Sequence, residues 1–252
     1  MSARPNEYGQ PVGHPLPGWT ARPAPARVTL EGRFCRVEPL DADRHADDLY
    51  AAYALAADGA DWTYMTSGPF DGPADYRAHV TAETRADDPL QYAVVDPRTG
   101  RAVGTLALMR QDPANGVVEV GSVTFSPLLK RTPLSTEAQF LLMSYAFDGL
   151  GYRRYEWKCD SLNEPSRRAA VRLGFTFEGI FRQAVVYKGR SRDTAWYSVV
   201  DTEWPEVGGA LRRWLSPDNF DGEGRQKRSL TDLRAAAGDL SGEPPAHRAS
   251  TK

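Results

Sequence analysis

The chain has 252 residues, a formal charge of −2, 41% hydrophobic residues and a mean hydropathy of −0.52. These values suit one globular domain of roughly 180 to 200 residues with polar ends, and no apolar run of about 18 residues offers a membrane span. Cys35 and Cys159 give no disulfide framework, the four histidines form no metal-ligand pattern, and the N-terminus lacks a signal-peptide core, so a reduced, cytoplasmic, metal-free protein is expected.

Residues 1–26 are rich in Pro and Gly and are expected to form an arm with little regular structure. Val12, Leu16 and Trp19 are its candidate anchors. "LEGRFCRVEPL" reads as a strand, and "DADRHADDLYAAYALA" as a helix with an Asp start. "ADYRAHVTAETRA" is a second helix. "LQYAVVD" and "AVGTLALMR" are strands joined by the turn "PRTG", and "GVVEVGSVTFS" is a further strand. A helix follows from about Leu134 to Leu150, ended by Gly149 and Gly151. "RRYEWKCD" is a strand, and "EPSRRAAVRLG" a helix with Pro165 in its first turn and Gly174 at its end. Two strands, "FTFEGIFRQAVVYKG" and "RDTAWYSVVD", and a closing helix, "EWPEVGGALRRWL", complete a mixed α/β (α+β) domain over 27–220. Residues 221–252 read as a flexible polar tail in which "SLTDLRAAA" offers a short helix.

The opening of the helix at 134 sets the functional question. Leu134, Ala138, Leu141, Leu142, Tyr145 and Ala146 recur at helical spacing and form a core stripe. Thr132 suits the N-cap and Pro133 the first helical position. A helix start with free N–H groups is a seat for a phosphate, and Leu134, Ser135 and Thr136 offer such groups. Lys130 and Arg131 add side-chain charge. Glu137 in the first turn suits the helix dipole. An ordinary capped helix accounts for the same residues. From Tyr152 to Arg192, ten basic against four acidic residues leave +6 in a slightly acidic chain. That excess fits either a polyanionic ligand or a solvated arginine-rich surface.

Taken in order, "TEA…YAF…LGYRR…NEPS…RLGF…EG…FR" resembles the GCN5-related N-acetyltransferases (GNAT), and within them the RimJ/RimL-like group, over residues 27–205. The resemblance implies a mixed, mostly antiparallel sheet flanked by helices and splayed into a V. Acetyl-CoA would lie in that V as co-substrate, with its pyrophosphate on the helix start. The group's loop is Gln/Arg-x-x-Gly-x-Gly/Ala. Here Lys130 stands at the Gln/Arg position, Pro133 at the glycine and Ser135 at the final small residue. Arg131, Thr132 and Thr136 are the remaining candidates for the phosphates.

The same resemblance places Val123 and Phe125 beside the pantetheine arm, Asn163 against the acyl donor, and Ser166 near the leaving sulfur. Ser166 also suits a plain helix surface. Catalysis needs a carboxylate, or a water held by one, to take the amine proton. Glu119 is the leading candidate and an exposed strand residue the alternative reading, with Asp193 and Glu178 behind it. Trp62, Tyr64 and Met65 in the loop between the first two helices, together with Tyr187 and Trp196, suit an acceptor wall or simple packing.

The leading expectation is transfer of an acetyl group from acetyl-CoA to a primary amine of a small molecule or a peptide N-terminus. A second keeps the fold and changes the acyl donor to an aminoacyl-tRNA or an acyl carrier protein, with strong salt dependence. A third is a non-catalytic binding module.

Overall fold

The computed structural model describes residues 4–235. A hairpin of β1 (Arg4–Pro5) and β2 (Pro11–Val12) opens the chain. The main sheet is built from β3 (Leu30–Glu31), β4 (Arg36–Pro39), β5 (Leu90–Asp96), β6 (Arg101–Asp112), β7 (Val117–Phe125), β8 (Arg154–Asp160), β9 (Thr176–Tyr187) and β10 (Arg190–Val200). Its order is β3-β4-β5-β6-β7-β8-β10-β9, and every neighbouring pair is antiparallel except β7·β8. The helices are α1 (Ala42–Tyr53), α2 (Pro73–Glu83), α3 (Pro133–Ser144), α4 (Glu164–Leu173), α5 (Trp204–Leu215) and α6 (Leu230–Ala235).

Local chemistry explains several boundaries. Asp41 caps α1 by accepting from the Arg44 N–H at 2.9 Å. Gly174 closes α4 with φ +105°, a left-handed conformation that suits glycine. β5 and β6 alternate between two cores. One face of the sheet packs Val118, Val120, Tyr155, Trp157 and Tyr197 in one large cluster with residues of α3, α4 and α5. The other packs Ala93, Val95 and Ala102 with α1 and α2.

β7 and β8 pair in register only from Val117↔Arg154 to Val120↔Trp157. Beyond that, residues 121–125 and 158–160 stay in their strands without pairing to each other. The cause lies in β7. The β6–β7 register shifts between Thr105 and Ala107, and Ser122 takes φ +49°. An extra residue in one strand bends it, and here the bend carries the end of β7 away from β8. The expected V is this fork.

The boundary at 220 falls too early. α6 buries Leu230 and Leu233 in the main core, and the Arg234 guanidinium binds the carbonyls of Val171 and Arg172. The domain therefore includes residues up to 235; 236–252 of the expected tail lie outside the described residues. In the arm, Trp19 is the anchor: its indole donates to Ala114 O at 2.9 Å and lies under Arg22 and Arg153. Leu16 stays half exposed. "LEGRFCRVEPL" folds as two short strands around a turn rather than as one. Among the described residues, no helix is long and apolar enough to cross a membrane.

Candidate active site

The fork has two different faces. On the α1/α2 face, β7 presents Glu119 and Gly121, β8 presents Glu156, Lys158 and Asp160, and β10 presents Trp196 and Ser198. Apart from Gly121 and Trp196 these are polar or charged, at the centre of a sheet. Glu119 is 5% exposed. Its nearest cations both approach Oε2: Lys158 Nζ at 2.8 Å and Arg110 Nε at 3.0 Å. Neither is aligned as a hydrogen bond, so both are described as ion pairs. Oε1 runs along the strand toward the fork, 3.6 Å from where a Cβ on Gly121 would stand. Met109 Sδ fills the place that Cβ would take, so glycine here lets the Met109 side chain pack against β7. Burial raises the Glu119 carboxyl above its usual range; Lys158 and Arg110 oppose that rise and Glu156 adds to it.

The two weaker carboxylate candidates are held by structural partners. Glu178 takes Arg154 through both oxygens at 2.7 and 2.6 Å and accepts from Ser198 Oγ at 2.7 Å. Asp193 accepts from the Gln183 N–H at 2.7 Å, inside the β9–β10 hairpin. Tyr187 is buried and donates to Asp160 at 2.8 Å.

At the far end of the fork, Val123 and Phe125 lie half buried on the end of β7 that pairs with β6 but not with β8. The loop to α3 turns through Arg131 at φ +61°. Thr132 stands at the N-cap and Pro133 inside the first turn, as expected. The Thr132 hydroxyl, however, donates backward to Leu129 O at 2.7 Å and caps nothing. Ser135 spends its N–H and its hydroxyl on Thr132 O. Thr136 is buried and accepts from Arg172 at 3.0 Å, so its side chain is turned away from the opening. Lys130 pairs with Asp61 of the α1–α2 loop. Arg131 is exposed and makes no ion pair among the described residues, whereas Lys130 of the same loop is already paired. Glu137 does more than suit the dipole: it is buried and accepts from the N–H groups of Arg33, Phe34 and Cys35 at 2.9, 2.5 and 2.7 Å.

Asn163 caps α4 by accepting from the Ser166 N–H at 3.2 Å. The Ser166 hydroxyl accepts from Trp157 Nε1 at 3.0 Å. Above the fork lies the α1–α2 loop. Lys188 Nζ donates to the carbonyls of Trp62, Ser67 and Gly68 at 2.8, 3.1 and 2.6 Å, and Arg190 to Thr63 O at 2.5 Å. Tyr64 donates to Leu162 O at 3.1 Å. The loop is thus tied to the β9–β10 hairpin on one side and to the β8–α4 loop on another. Trp62 packs edge-on against Tyr53 and Phe70, while Met65 is half buried.

Much of the basic excess in 152–192 is spent internally: Arg154, Lys158 and Arg168 form ion pairs, and Lys188 and Arg190 hold carbonyls. No group of His, Cys, Asp and Glu among the described residues is arranged to hold a metal ion. Arg110, Glu156, Lys158 and Gly121 were not singled out from the sequence. The alternation Glu156, Lys158, Asp160 against Tyr155, Trp157, Cys159 in "YEWKCD" was the available signal, since a charged face on a central strand is unusual.

The family model "Acetyltransferase (GNAT) domain" matches residues 36–176. The chain is similar to a GCN5-related N-acetyltransferase from Brucella melitensis of known structure, with 51% identity, a TM-score of 0.85, and 87% of this chain and 100% of that one covered. A Chromobacterium violaceum structure, described as a probable acetyltransferase of the GNAT family, shows 39% identity and a TM-score of 0.72 over 78% of this chain and 98% of its own. YdaF of Bacillus subtilis, which carries the name of a candidate ribosomal N-acetyltransferase, is 26% identical over 67% of this chain and 90% of its own length.

Proposed function

The chain belongs to the GNAT acetyltransferase family, and from that premise we propose that it moves an acetyl group from acetyl-CoA to a primary amine of a small molecule or peptide N-terminus. The observation that carries this reading is the Glu119 carboxylate, buried at the fork with one oxygen held by cations and the other directed over Gly121. The end of β7, with Val123 and Phe125, is unpaired on its β8 side and offers that strand edge to the pantetheine arm. Arg131 and the start of α3 suit its phosphates.

In this reading the acceptor enters from the α1/α2 face as an ammonium. Glu119 Oε1, directly or through one water, takes an N–H proton. The freed lone pair attacks the thioester carbonyl carbon, and an unpaired N–H of β7 stabilises the oxyanion. The tetrahedral species collapses by breaking the C–S bond. The nitrogen gives up its second extra proton, which Ser166 or a water that it holds relays to the departing CoA thiolate, and Glu119 returns its own proton to solvent. The Ser166 oxygen accepts from Trp157 Nε1, and the hydroxyl also lies within hydrogen-bond reach of the buried Cys159 thiol.

The test is titration calorimetry of the full chain with acetyl-CoA at two salt concentrations, followed by an amine and peptide panel for acetyl transfer. Micromolar binding and transfer to a primary amine support the reading. No binding of acetyl-CoA sinks it. A second reading, an aminoacyl-tRNA or acyl carrier protein as acyl donor, is favoured by Pro133 in place of glycine and by the loss of Lys130 to Asp61. Its mark would be binding that collapses between low and moderate salt.

A further inference from the structure

We propose that Lys158 is a positioning residue that holds Glu119 in place as the proton acceptor at the fork. This rests on the reading of Glu119 given above. Lys158 is the first residue of β8 beyond the last registered pair, Val120↔Trp157. Its side chain is 7% exposed, and Nζ lies 2.8 Å from Glu119 Oε2 and 2.7 Å from Glu156 Oε2.

Glu119 and Glu156 are register partners on neighbouring strands. Two buried carboxylates side by side repel, and without a cation between them one takes a proton or turns away. Lys158 removes that choice and gathers both Oε2 atoms toward itself, which leaves Glu119 Oε1 to face the fork. The ammonium is fixed in turn. It lies 3.8 Å over the centroid of the Trp196 ring. Phe181 stacks against that ring at 4.4 Å. Trp196 Nε1 is buried and makes no hydrogen bond, so the ring contributes its faces rather than its N–H.

The charges around the pair come from four strands. β6 supplies Arg110, β7 Glu119, β8 Arg154, Glu156 and Lys158, and β9 Glu178. They alternate in sign from Arg110 to Glu178. Removing Lys158 therefore strands two carboxylates together, whereas removing Arg110, whose side chain is 61% exposed, does not.

The experiment follows the carboxyl carbons of glutamate by NMR across a pH titration of the full chain, with Glu119→Gln identifying the Glu119 signal. In Lys158→Met the Glu119 midpoint should rise by about 1 to 3 pH units, the range for losing a close opposite charge. Lys158→Arg should restore most of it. Glu156→Gln, a near-isosteric change, should lower the midpoint, because the repulsion goes and Lys158 serves Glu119 alone. The acid limb of kcat/KM for acetyl transfer should follow the same order, while acetyl-CoA affinity stays within about twofold of wild type, well under the ~1.4 kcal/mol that a tenfold change represents. If Lys158→Met does not fold, Glu156→Gln decides alone. A Glu119 midpoint unmoved in the folded variants overturns the proposal. Full turnover in Glu119→Gln would overturn the base assignment, and the NMR midpoints would still decide whether Lys158 positions the carboxylate.

Discussion

Glu119 and Glu137 are almost equally buried, at 5% and 4% exposure, and they do different things. Glu137 reaches from α3 into the turn between β3 and β4, where three backbone N–H groups close on its two oxygens. Every one of those donors would otherwise be an unmet backbone group. Glu119 sits at the fork among side-chain cations that approach one oxygen, and the other is directed over Gly121 with no hydrogen-bond donor among the described residues. Burial alone therefore does not mark a working carboxylate. The mark is acceptor capacity left over after the protein's own donors are counted, at a place where a strand pair comes apart.

Neutralising each glutamate separates the two roles. Glu119→Gln should lower kcat for acetyl transfer by about 10²- to 10⁴-fold with no loss of thermal stability. The stability sign follows from burial. The folded-state value of Glu119 is raised, so its contribution is fully present below the unfolded carboxyl value and is lost as pH rises through the folded one. Above the folded value the wild type lacks it, and there the glutamine variant should melt at or above the wild-type temperature. Wild-type activity, which needs the carboxylate, should rise over the same pH window.

Glu137→Ala should do the opposite. Three backbone N–H groups, that of Cys35 buried and those of Arg33 and Phe34 part-buried, lose their acceptor, at about 1 to 3 kcal/mol for each group left unsatisfied. Urea unfolding should show a loss of roughly 3 kcal/mol or more, and whatever folded enzyme remains should keep its kcat. A stability loss at Glu119 equal to that at Glu137 would break the comparison.

The phosphate end can be probed in the same way, by asking which group is already spent. Lys130 is paired with Asp61, whereas Arg131 is exposed. Arg131→Gln should weaken acetyl-CoA about tenfold, the loss expected of one charge-assisted bond, with a shallower salt dependence in calorimetry. Lys130→Met should weaken it less and should loosen the α1–α2 loop, read as faster amide exchange there.

These contrasts also show what could be read in the sequence. Helices and strands were legible because apolar spacing and turn residues agree. "LQYAVVD" becomes β5 at those residues, and Pro165 and Gly174 bracket α4. The fork came only through family resemblance. Its local cause is a left-handed serine, Ser122, which carries no residue-type signal of the kind a glycine would. Glu119 was legible as a carboxylate on the right strand, but not its partner Lys158, because pairing across two strands requires the register. Glu137 read as a dipole partner because its true partners are backbone groups more than 100 residues earlier. Leu230 and Leu233 lie in a polar stretch and meet the core only after α5 has turned the chain back.

Ser166 carries the smallest expected effect. Its oxygen accepts from Trp157 Nε1, so Ser166→Ala leaves a half-buried indole N–H without a partner and should cost about 1 kcal/mol of stability. Its catalytic share is limited by the leaving group. A thiol with a pKa near 8.5 departs readily as the thiolate at neutral pH, and protonating it removes little of the barrier. The drop in kcat should therefore be about tenfold or less. It should shrink further as pH rises toward that value, because the thiolate then needs no proton. Asn163→Ala, compared at saturating acetyl-CoA so that its expected place against the donor does not enter, supplies the control: it removes the cap of the same helix, at about 1 kcal/mol, with Ser166 still in place. If both variants lose the same stability and only Ser166→Ala loses turnover with that pH trend, the hydroxyl acts on the sulfur. If the two variants lose turnover alike, Ser166 serves the helix, and the thiolate leaves without help from the protein.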